Sequence, residues 1–430
     1  MHGSLMDIYT VQFIFSILSL NCYGISWLGL HKLPKDMRIW NGTATPFSHY
    51  DCIFSQNRLG LRRGQAAFCH KERESHAMFG VYRAAKNLIE NCPKAFSDRR
   101  WNCSSVTQLP ELSPELKRST REQAIIHAYS AASLIYEFGR LCSENIIKKC
   151  SCGLPSSDYD LDRFSRNSAL LEQKKHQYYQ AGCSDNIRMA KQFLSRFLGF
   201  SAFGDEQRYR RRIRRPRRSL LKWTDQRKIR RPRDQENPLW YRQSMPKDQS
   251  EKYTKDDRLF IRKMNVHNYL AGIELMERNQ KSLCKCIGMS TSCIQKICFK
   301  KLLRIDDIKI IEELKKLYLS AKMSAIHQNN KFIALSFGSQ EKELKEDEII
   351  FSESSPDYCN YEPMRGSIGT TGRLCNLVSS GTFNCNNMCC GRGFYNETVR
   401  YTDQCQCRAD VSLRIICEQC EKTRIDHFCY

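Results

Sequence analysis

Twenty-three cysteines in 430 residues constrain this chain more than any other feature of it. Cytosolic proteins rarely hold so many thiols, so the pattern reads as disulfides formed in an oxidising compartment. The N-terminus agrees. Residues 11–20 (VQFIFSILSL) make an apolar run of signal-peptide length, too short to cross a bilayer as a helix. Small residues follow at Gly24 and Ser26, where a peptidase can cut, although the flank before the run lacks Lys and Arg. A signal peptide over residues 1–26 takes Cys22 with it and leaves 22 cysteines, an even number that permits complete pairing. No later stretch is long and apolar enough to span a membrane. Three sequons, Asn41-Gly42-Thr43, Asn102-Cys103-Ser104 and Asn396-Glu397-Thr398, fit an extracellular glycoprotein.

The formal charge of +23 is concentrated. Residues 208–233 hold fourteen Lys or Arg against one acid, Asp225, with Pro216 and Pro232 to break helices. Repulsion at that density predicts a solvated linker, here part of an insert over about 205–250. A secreted chain does not normally meet nucleic acid, so the expected polyanion is a sulfated glycan at the cell surface, bound by counterion release. The same segment contains convertase-like sites ending at Arg215 and Arg218.

Around this insert the pattern is helical. Ser113 with Pro114 is suited to start a helix, and Ile125, Ile126, Tyr129, Ala132, Ile135, Tyr136 and Phe138 recur at helical spacing. Asp185 is placed to cap a helix through Ile187, Ala190, Phe193, Leu194 and Phe197. Residues 259–277 and 308–321 predict two more, and residues 82–89 predict another that ends before Cys92. A polar stretch over 339–350 reads as an interdomain linker. Beyond it, ten cysteines and many glycines crowd a segment with too little apolar material for an ordinary core, so disulfides must staple short hairpins together.

Two spacings carry structural information. Residues i and i+2 of a strand share a face. Cys284 and Cys286 can therefore bridge a returning strand in nested fashion, Cys286–Cys293 inside Cys284–Cys298. Cys405 and Cys407 can do the same, Cys407–Cys417 inside Cys405–Cys420. Zinc is the alternative, but only Cys417 and Cys420 have clear knuckle spacing. No Gly-x-Ser-x-Gly elbow, His-Glu-x-x-His or P-loop is present, and Asp426-His427 lies far from the vicinal pair Cys389-Cys390. No catalytic residue, metal or cofactor is nominated.

Seven blocks then resemble the Wnt family, over roughly residues 50–430. Arg99-Arg100-Trp101-Asn102-Cys103-Ser104 matches its Arg-Arg-Trp-Asn-Cys block, and Ala181-Gly182-Cys183-Ser184-Asp185-Asn186 its Gly-Gly-Cys-Ser-Asp-Asn. Met264-Asn265-Val266-His267-Asn268 is similar to its Met-Asn-x-His-Asn. Residues 284–293 (CKCIGMSTSC) resemble its Cys-Lys-Cys-His-Gly-x-Ser-Gly-Ser-Cys. The blocks ending at Cys359, at Asn376 and at Gly393 complete the set, in the family's order.

The resemblance implies an α+β fold: an N-terminal α-helical domain (27–338) with a disulfide-pinned lipid-bearing β-hairpin (284–298), the linker, and a C-terminal cysteine-rich β-hairpin domain (351–430). It implies a secreted, non-enzymatic ligand of the Wnt signalling pathway, acting in development and cell fate. Porcupine would O-acylate Ser290 with palmitoleate in the endoplasmic reticulum. Wntless would carry the product, and the lipid would give membrane association. In the extracellular space and matrix the partners would be heparan sulfate proteoglycans, an LDL-receptor-related co-receptor and the cysteine-rich domain of a Frizzled receptor. That domain would be gripped by Gly288, Met289, Ser290 and Thr291 at one tip and Asp410, Val411, Ser412 and Leu413 at the other. By family register the remaining bridges are Cys92–Cys103, Cys142–Cys150, Cys152–Cys183, Cys359–Cys390, Cys375–Cys385 and Cys389–Cys429, with Cys52–Cys69 as the eleventh pair. No expected bridge spans residues 184–283, so convertase cleavage there would leave two fragments held only by packing.

The departures are specific. Ile287 stands where the family has His, and Thr291 where it has Gly, both in the acyltransferase's target turn. The Phe-His-Trp-Cys-Cys run after Cys407 is replaced by Ala409-Asp410-Val411-Ser412-Leu413, so both members of a vicinal disulfide and the aromatic tip are missing. An unacylated decoy of the same fold, or a secreted disulfide-rich hydrolase, are the alternative readings.

Overall fold

The computed structural model describes residues 24–34, 39–40, 43–44, 47–71, 76–147, 150–153, 183–200, 255–287, 295–326, 332–334, 344–345, 347–379, 381–409 and 414–430. The apolar run 11–20, the basic insert and the tips 288–294 and 410–413 lie outside them.

A 3-10 turn, Ser26–Lys32, opens the described chain. A two-residue ladder follows, β1 (Ile39–Trp40) on β2 (Thr43–Ala44). Then come α1 (His49–Arg58), α2 (Arg63–His70), α3 (Ala77–Ala95), the single turn α4 (Pro114–Lys117), α5 (Arg121–Ser143), α6 (Ile187–Leu198) and α7 (Lys255–Arg278). The hairpin β3 (Gln280–Ile287) and β4 (Gln295–Leu302) leads into α8 (Ile308–Leu319).

α5 organises this lobe. Twenty of its 23 residues are buried, so it is wrapped on all sides and not merely amphipathic. It packs against α3, α6 and α7. Small residues let them close in. Ser133 donates its hydroxyl to the Ala84 carbonyl at 3.1 Å, and Gly272 on α7 lies so close to the Ala128 carbonyl that a Cβ has no room there.

Several sequence expectations are corrected here. The stripe from Ile125 to Phe138 does not belong to the helix opened at Ser113. That helix stops at Lys117, and Ser113 makes no side-chain cap. Thr120 starts α5 instead by accepting the Gln123 N–H, and the carbonyls freed at the break take Thr120 and Gln123 side chains. α3 runs through Cys92 and Pro93 to Ala95, because Cys92 faces the core and bridges to Cys103. α6 is capped by Asn186, whose side chain accepts the Met189 N–H at 3.0 Å; Asp185 is used elsewhere.

The residues just after the apolar run are part of the core. Ile25, Ser26, Trp27, Leu28 and Leu30 have no exposed surface, and Ser26 donates its hydroxyl to the Gly60 carbonyl at 2.8 Å. Ile25 and Ser26, which the sequence reading put at the end of a signal peptide over 1–26, are thus packed into the helical lobe.

After α8, β5 (Lys322–Ile326) takes β6 (Phe332–Ala334) antiparallel on one side and β7 (Ile350–Phe351) parallel on the other. The C-terminal lobe adds the ladder β8 (Tyr361–Glu362) on β9 (Ser367–Ile368), then β10 (Leu374–Cys375), the turn α9 (Cys385–Met388) and the ribbon β11 (Phe394–Ala409) with β12 (Ile415–Cys429). β12 is central, with β10 and β11 on its edges. The expected linker over 339–350 is shortened at its far end. The Glu348 carbonyl accepts a bond from the His267 ring at 2.8 Å, and Asn268 exchanges two bonds with the Ile350 backbone, at 2.8 and 2.9 Å. Ile349, Ile350 and Phe351 are buried in the helical lobe. Among the described residues no helix is long and apolar enough to cross a membrane.

Candidate functional site: two stapled hairpins

β3 and β4 pair in continuous register from Gln280 opposite Leu302 to Ile287 opposite Gln295. Cys284 stands opposite Cys298, as the nested arrangement requires, and Cys284 is disulfide-bonded. The Cys286 and Cys298 side chains and all of Cys293 lie outside the described residues, as do Gly288, Met289, Ser290 and Thr291.

The base of this hairpin is fixed by the Cys183-Ser184-Asp185-Asn186 block. Ser184 accepts the Lys300 N–H on its hydroxyl at 3.0 Å, and the Asp185 N–H donates to the Lys300 carbonyl at 3.0 Å. The Asp185 carboxylate accepts the Leu302 N–H at 2.7 Å and the Ser143 hydroxyl at 2.8 Å, with Lys301 Nζ at 3.8 Å. One buried carboxylate thus joins β4 to the end of α5. Charge-assisted bonds of this kind are about twice as strong as neutral ones.

The second hairpin is the β11–β12 ribbon. Its strands pair from Phe394 opposite Cys429 out to Ala409 opposite Ile415, with a register irregularity between Cys405 and Arg408. Cys405–Cys420 and Cys407–Cys417 cross it in nested fashion. Cys417 and Cys420 therefore bridge different partners and are not free thiolates for zinc. The ribbon is exposed on both faces, and Ile415 and Ile416 near its end stay largely uncovered. Asp403 and Lys422 pair across it at 2.7 Å; that hydrogen bond holds the Asp403 carboxyl below, and the Lys422 ammonium above, their ordinary values. Asp410, Val411, Ser412 and Leu413 lie outside the described residues.

The other bridges are Cys52–Cys69, Cys92–Cys103, Cys142–Cys150, Cys152–Cys183, Cys359–Cys390, Cys375–Cys385 and Cys389–Cys429. Cys375, Cys389 and Cys429 bring their sulfurs together, yet all three are half-cystines. Of the sequons, Asn41 is outside the described residues. Asn102 is half-buried and accepts the Ser104 N–H at 3.1 Å, beside bridged Cys103; Asn396 is exposed on β11 and contacts the His427 ring at 2.7 Å. With His427 on Asn396 and Asp426 on Arg424, the Asp-His pair serves the ribbon itself.

Sequence reasoning missed how the lobes join. Arg373 donates to three carbonyls of the helical lobe, Ser97, Arg99 and Arg100, at 2.9, 2.7 and 2.6 Å. Burial pulls its pKa below the ordinary arginine value, countered in part by Asp98. Arg392 similarly ties the Tyr430 and Cys359 carbonyls to the Thr370 hydroxyl. Both arginines sit inside motif blocks; their presence there was the available signal.

A helical lobe with a stapled hairpin, joined to a ribbon lobe built on half-cystines, defines a disulfide-bonded extracellular recognition protein. The chain belongs to the Wnt family of secreted signalling ligands: the family model described as "wnt family" matches residues 57–224 and 239–430. Among its relatives, Protein Wnt-11 of Gallus gallus is 29% identical over 412 residues, covering 95% of this chain and 94% of the relative. Protein Wnt-2b-A of Xenopus laevis is 28% identical, covering 88% of each. A solved structure titled "Human WLS in complex with WNT8A" aligns at TM-score 0.49 and 22% identity, covering 85% of this chain and 98% of that one.

Proposed function

We propose that this Wnt ligand binds the cysteine-rich domain of a Frizzled-type receptor through a palmitoleoylated Ser290 at the end of the β3–β4 hairpin, with the β11–β12 ribbon as a second contact. The observation that carries the reading is the rigid mounting of β3–β4. A hairpin tied by Ser184 and Asp185 to the buried core helix suits presentation of a group at its far end. A long acyl chain contributes ~0.8 kcal/mol for each CH2 buried, enough to dominate a small protein contact. The same lipid makes the free ligand cling to membranes and need a carrier. Acylation by Porcupine in the endoplasmic reticulum, carriage by Wntless, engagement of an LDL-receptor-related co-receptor and retention in the matrix by heparan sulfate on residues 208–233 complete the proposal.

A second reading has specific support. Ile287 and Thr291 alter the acylation turn, and residues 410–413 lack the aromatic tip, as expected of an unacylated decoy. One experiment separates the two: peptide mass spectrometry of protein secreted from acyltransferase-competent cells, beside Ser290→Ala, with receptor-domain binding measured on both. A palmitoleoyl increment on the Ser290 peptide and binding lost in the variant support the ligand. An unmodified peptide with binding equal in both supports the decoy.

A further inference from the structure

We propose that the contact between α4 and the 3-10 turn Pro363–Arg365 is a pH-sensitive latch between the two lobes, closed while the Glu115 side chain is neutral and released when it is charged. The C-terminal lobe is held on the helical one at two separate places. At the first, Arg373 donates to the Ser97, Arg99 and Arg100 carbonyls. A guanidinium and peptide carbonyls keep their charge near neutral pH, so this joint does not titrate there. At the second, α4 meets the turn, which ends at Gly366 with φ +81°. The Glu115 carboxylate lies directly against that glycine: a Cβ at Gly366 would collide with Glu115 Oε2. Only glycine satisfies both the left-handed backbone and the close approach.

Glu115 is 1% exposed, and neither of its carboxylate oxygens has a hydrogen-bond partner among the described residues. Such a group is costly to hold charged and far less costly to hold protonated. Burial accordingly raises its pKa above the ordinary carboxylate value. The Ser105 and Ser113 hydroxyls favour the charged form and offset only part of this, while the Glu122 charge adds to it. The other groups at the contact do not neutralise Glu115. Glu122 accepts the Tyr318 hydroxyl at 2.8 Å. Burial, with the fields of Glu122 and Glu115, keeps the Tyr358 phenol uncharged. Arg118 is committed to Glu353 at 2.7 Å, and the other Glu353 oxygen accepts the Ser119 N–H at 3.3 Å. On the facing turn Arg365 pairs with Glu362 at 3.3 Å, in solvent.

The sign follows from linkage. With the latch open, the carboxyl meets water and titrates at its ordinary value of 4.5. The closed state binds the proton more tightly. Closure is therefore most favourable below that value, and it weakens as pH rises towards and through the raised one. The ratio of closed to open changes by at most about tenfold per pH unit. Release frees the C-terminal lobe to turn about the Arg373 joint, which changes the angle between the β3–β4 hairpin and the β11–β12 ribbon. The inference holds whatever those hairpins bind. His127 acts in the opposite sense, since burial holds its ring neutral and acid disfavours that state.

Amide hydrogen exchange of the secreted full chain tests this, between about pH 5 and about pH 7.5, with each rate divided by its intrinsic rate at that pH. The reporters are the N–H groups of Leu116, Lys117 and Gly366, each bonded within its own turn. Their protection should fall about tenfold or more over this range, while that of the α5 amides and of the Arg373 N–H stays level. In Glu115→Gln, which keeps the shape and cannot ionise, the fall should disappear. If that variant is not secreted, Ser113→Ala decides: it removes a hydroxyl that favours the charged form, so the fall should move to higher pH. Level protection in the unmodified chain, an undiminished fall in Glu115→Gln, an unmoved fall in Ser113→Ala, or a fall shared by the α5 amides would each overturn the proposal.

Discussion

In the helical lobe α5 alone buries twenty residues, whereas the buried apolar cluster of the ribbon lobe is Met388 with Cys375, Cys385, Cys389 and Cys429. The first lobe is held by apolar area removed from water. The second has four half-cystines where a core would be, and its stability rests on restricting the unfolded chain. Disulfides occur in both, but they do different work. Cys92–Cys103 reinforces helices that already pack; Cys389–Cys429 replaces packing. A secreted chain can therefore extend a long, exposed ribbon that no core of its own supports.

That contrast can be broken by experiment. Trp27→Ala should cost most, ~3–5 kcal/mol, because the indole is fully buried in the helical core. Thermal unfolding should show a lowered transition for the whole helical lobe. Replacing Cys389 and Cys429 together by Ser should cost ~2–5 kcal/mol, and the loss should be local. Limited proteolysis is expected to cut the ribbon lobe while α3 and α5 stay protected; simultaneous loss of both lobes would mean that they share one cooperative unit.

The third effect is a pH dependence confined to the helical lobe. Burial pushes the His127 ring down to about 3, with the Arg62 charge adding to the shift. The unfolded chain binds that proton near pH 6.5, so between those values it holds more protons than the native state. Stability should therefore fall on acidification through this window, by at most about 1.4 kcal/mol per pH unit. Glu137 opposes it. Burial, offset partly by Arg83, raises its carboxyl to about 7, so its contribution declines as pH rises from about 4.5 to about 7. Comparing the chain with His127→Phe at each pH isolates the ring, and the difference should grow in favour of the variant below pH 6. The smallest effect expected is that of Asn186→Ala, ~1 kcal/mol, from loss of the α6 cap, read by denaturant unfolding.

Much of this was legible in the sequence, for identifiable reasons. The i, i+2 cysteine spacing specifies nested hairpins because strand geometry leaves few other choices, and Cys405–Cys420 around Cys407–Cys417 follows it. Helical periodicity located the core face of α5 but not its start, since Ser113-Pro114 and Thr120 both carry N-terminal chemistry and only tertiary contacts choose between them. Asp185 and Asn186 are equivalent as caps on paper; the neighbouring β4 N–H groups recruit the first and leave the second for the helix. The Arg373 joint left a single trace, its place inside a motif block, because the carbonyls it binds carry no side-chain signature.

The Asp185 carboxylate makes the β3–β4 hairpin a lever with a defined fulcrum. A force applied beyond Ile287 cannot be absorbed by swivelling at Gln280 and Leu302, because the Leu302 N–H and the Ser143 hydroxyl are tied to the same carboxylate. The strain passes directly to the last turn of α5 and from there to everything that helix touches. Whatever pulls on the far end of this hairpin therefore pulls on the whole helical lobe as one object.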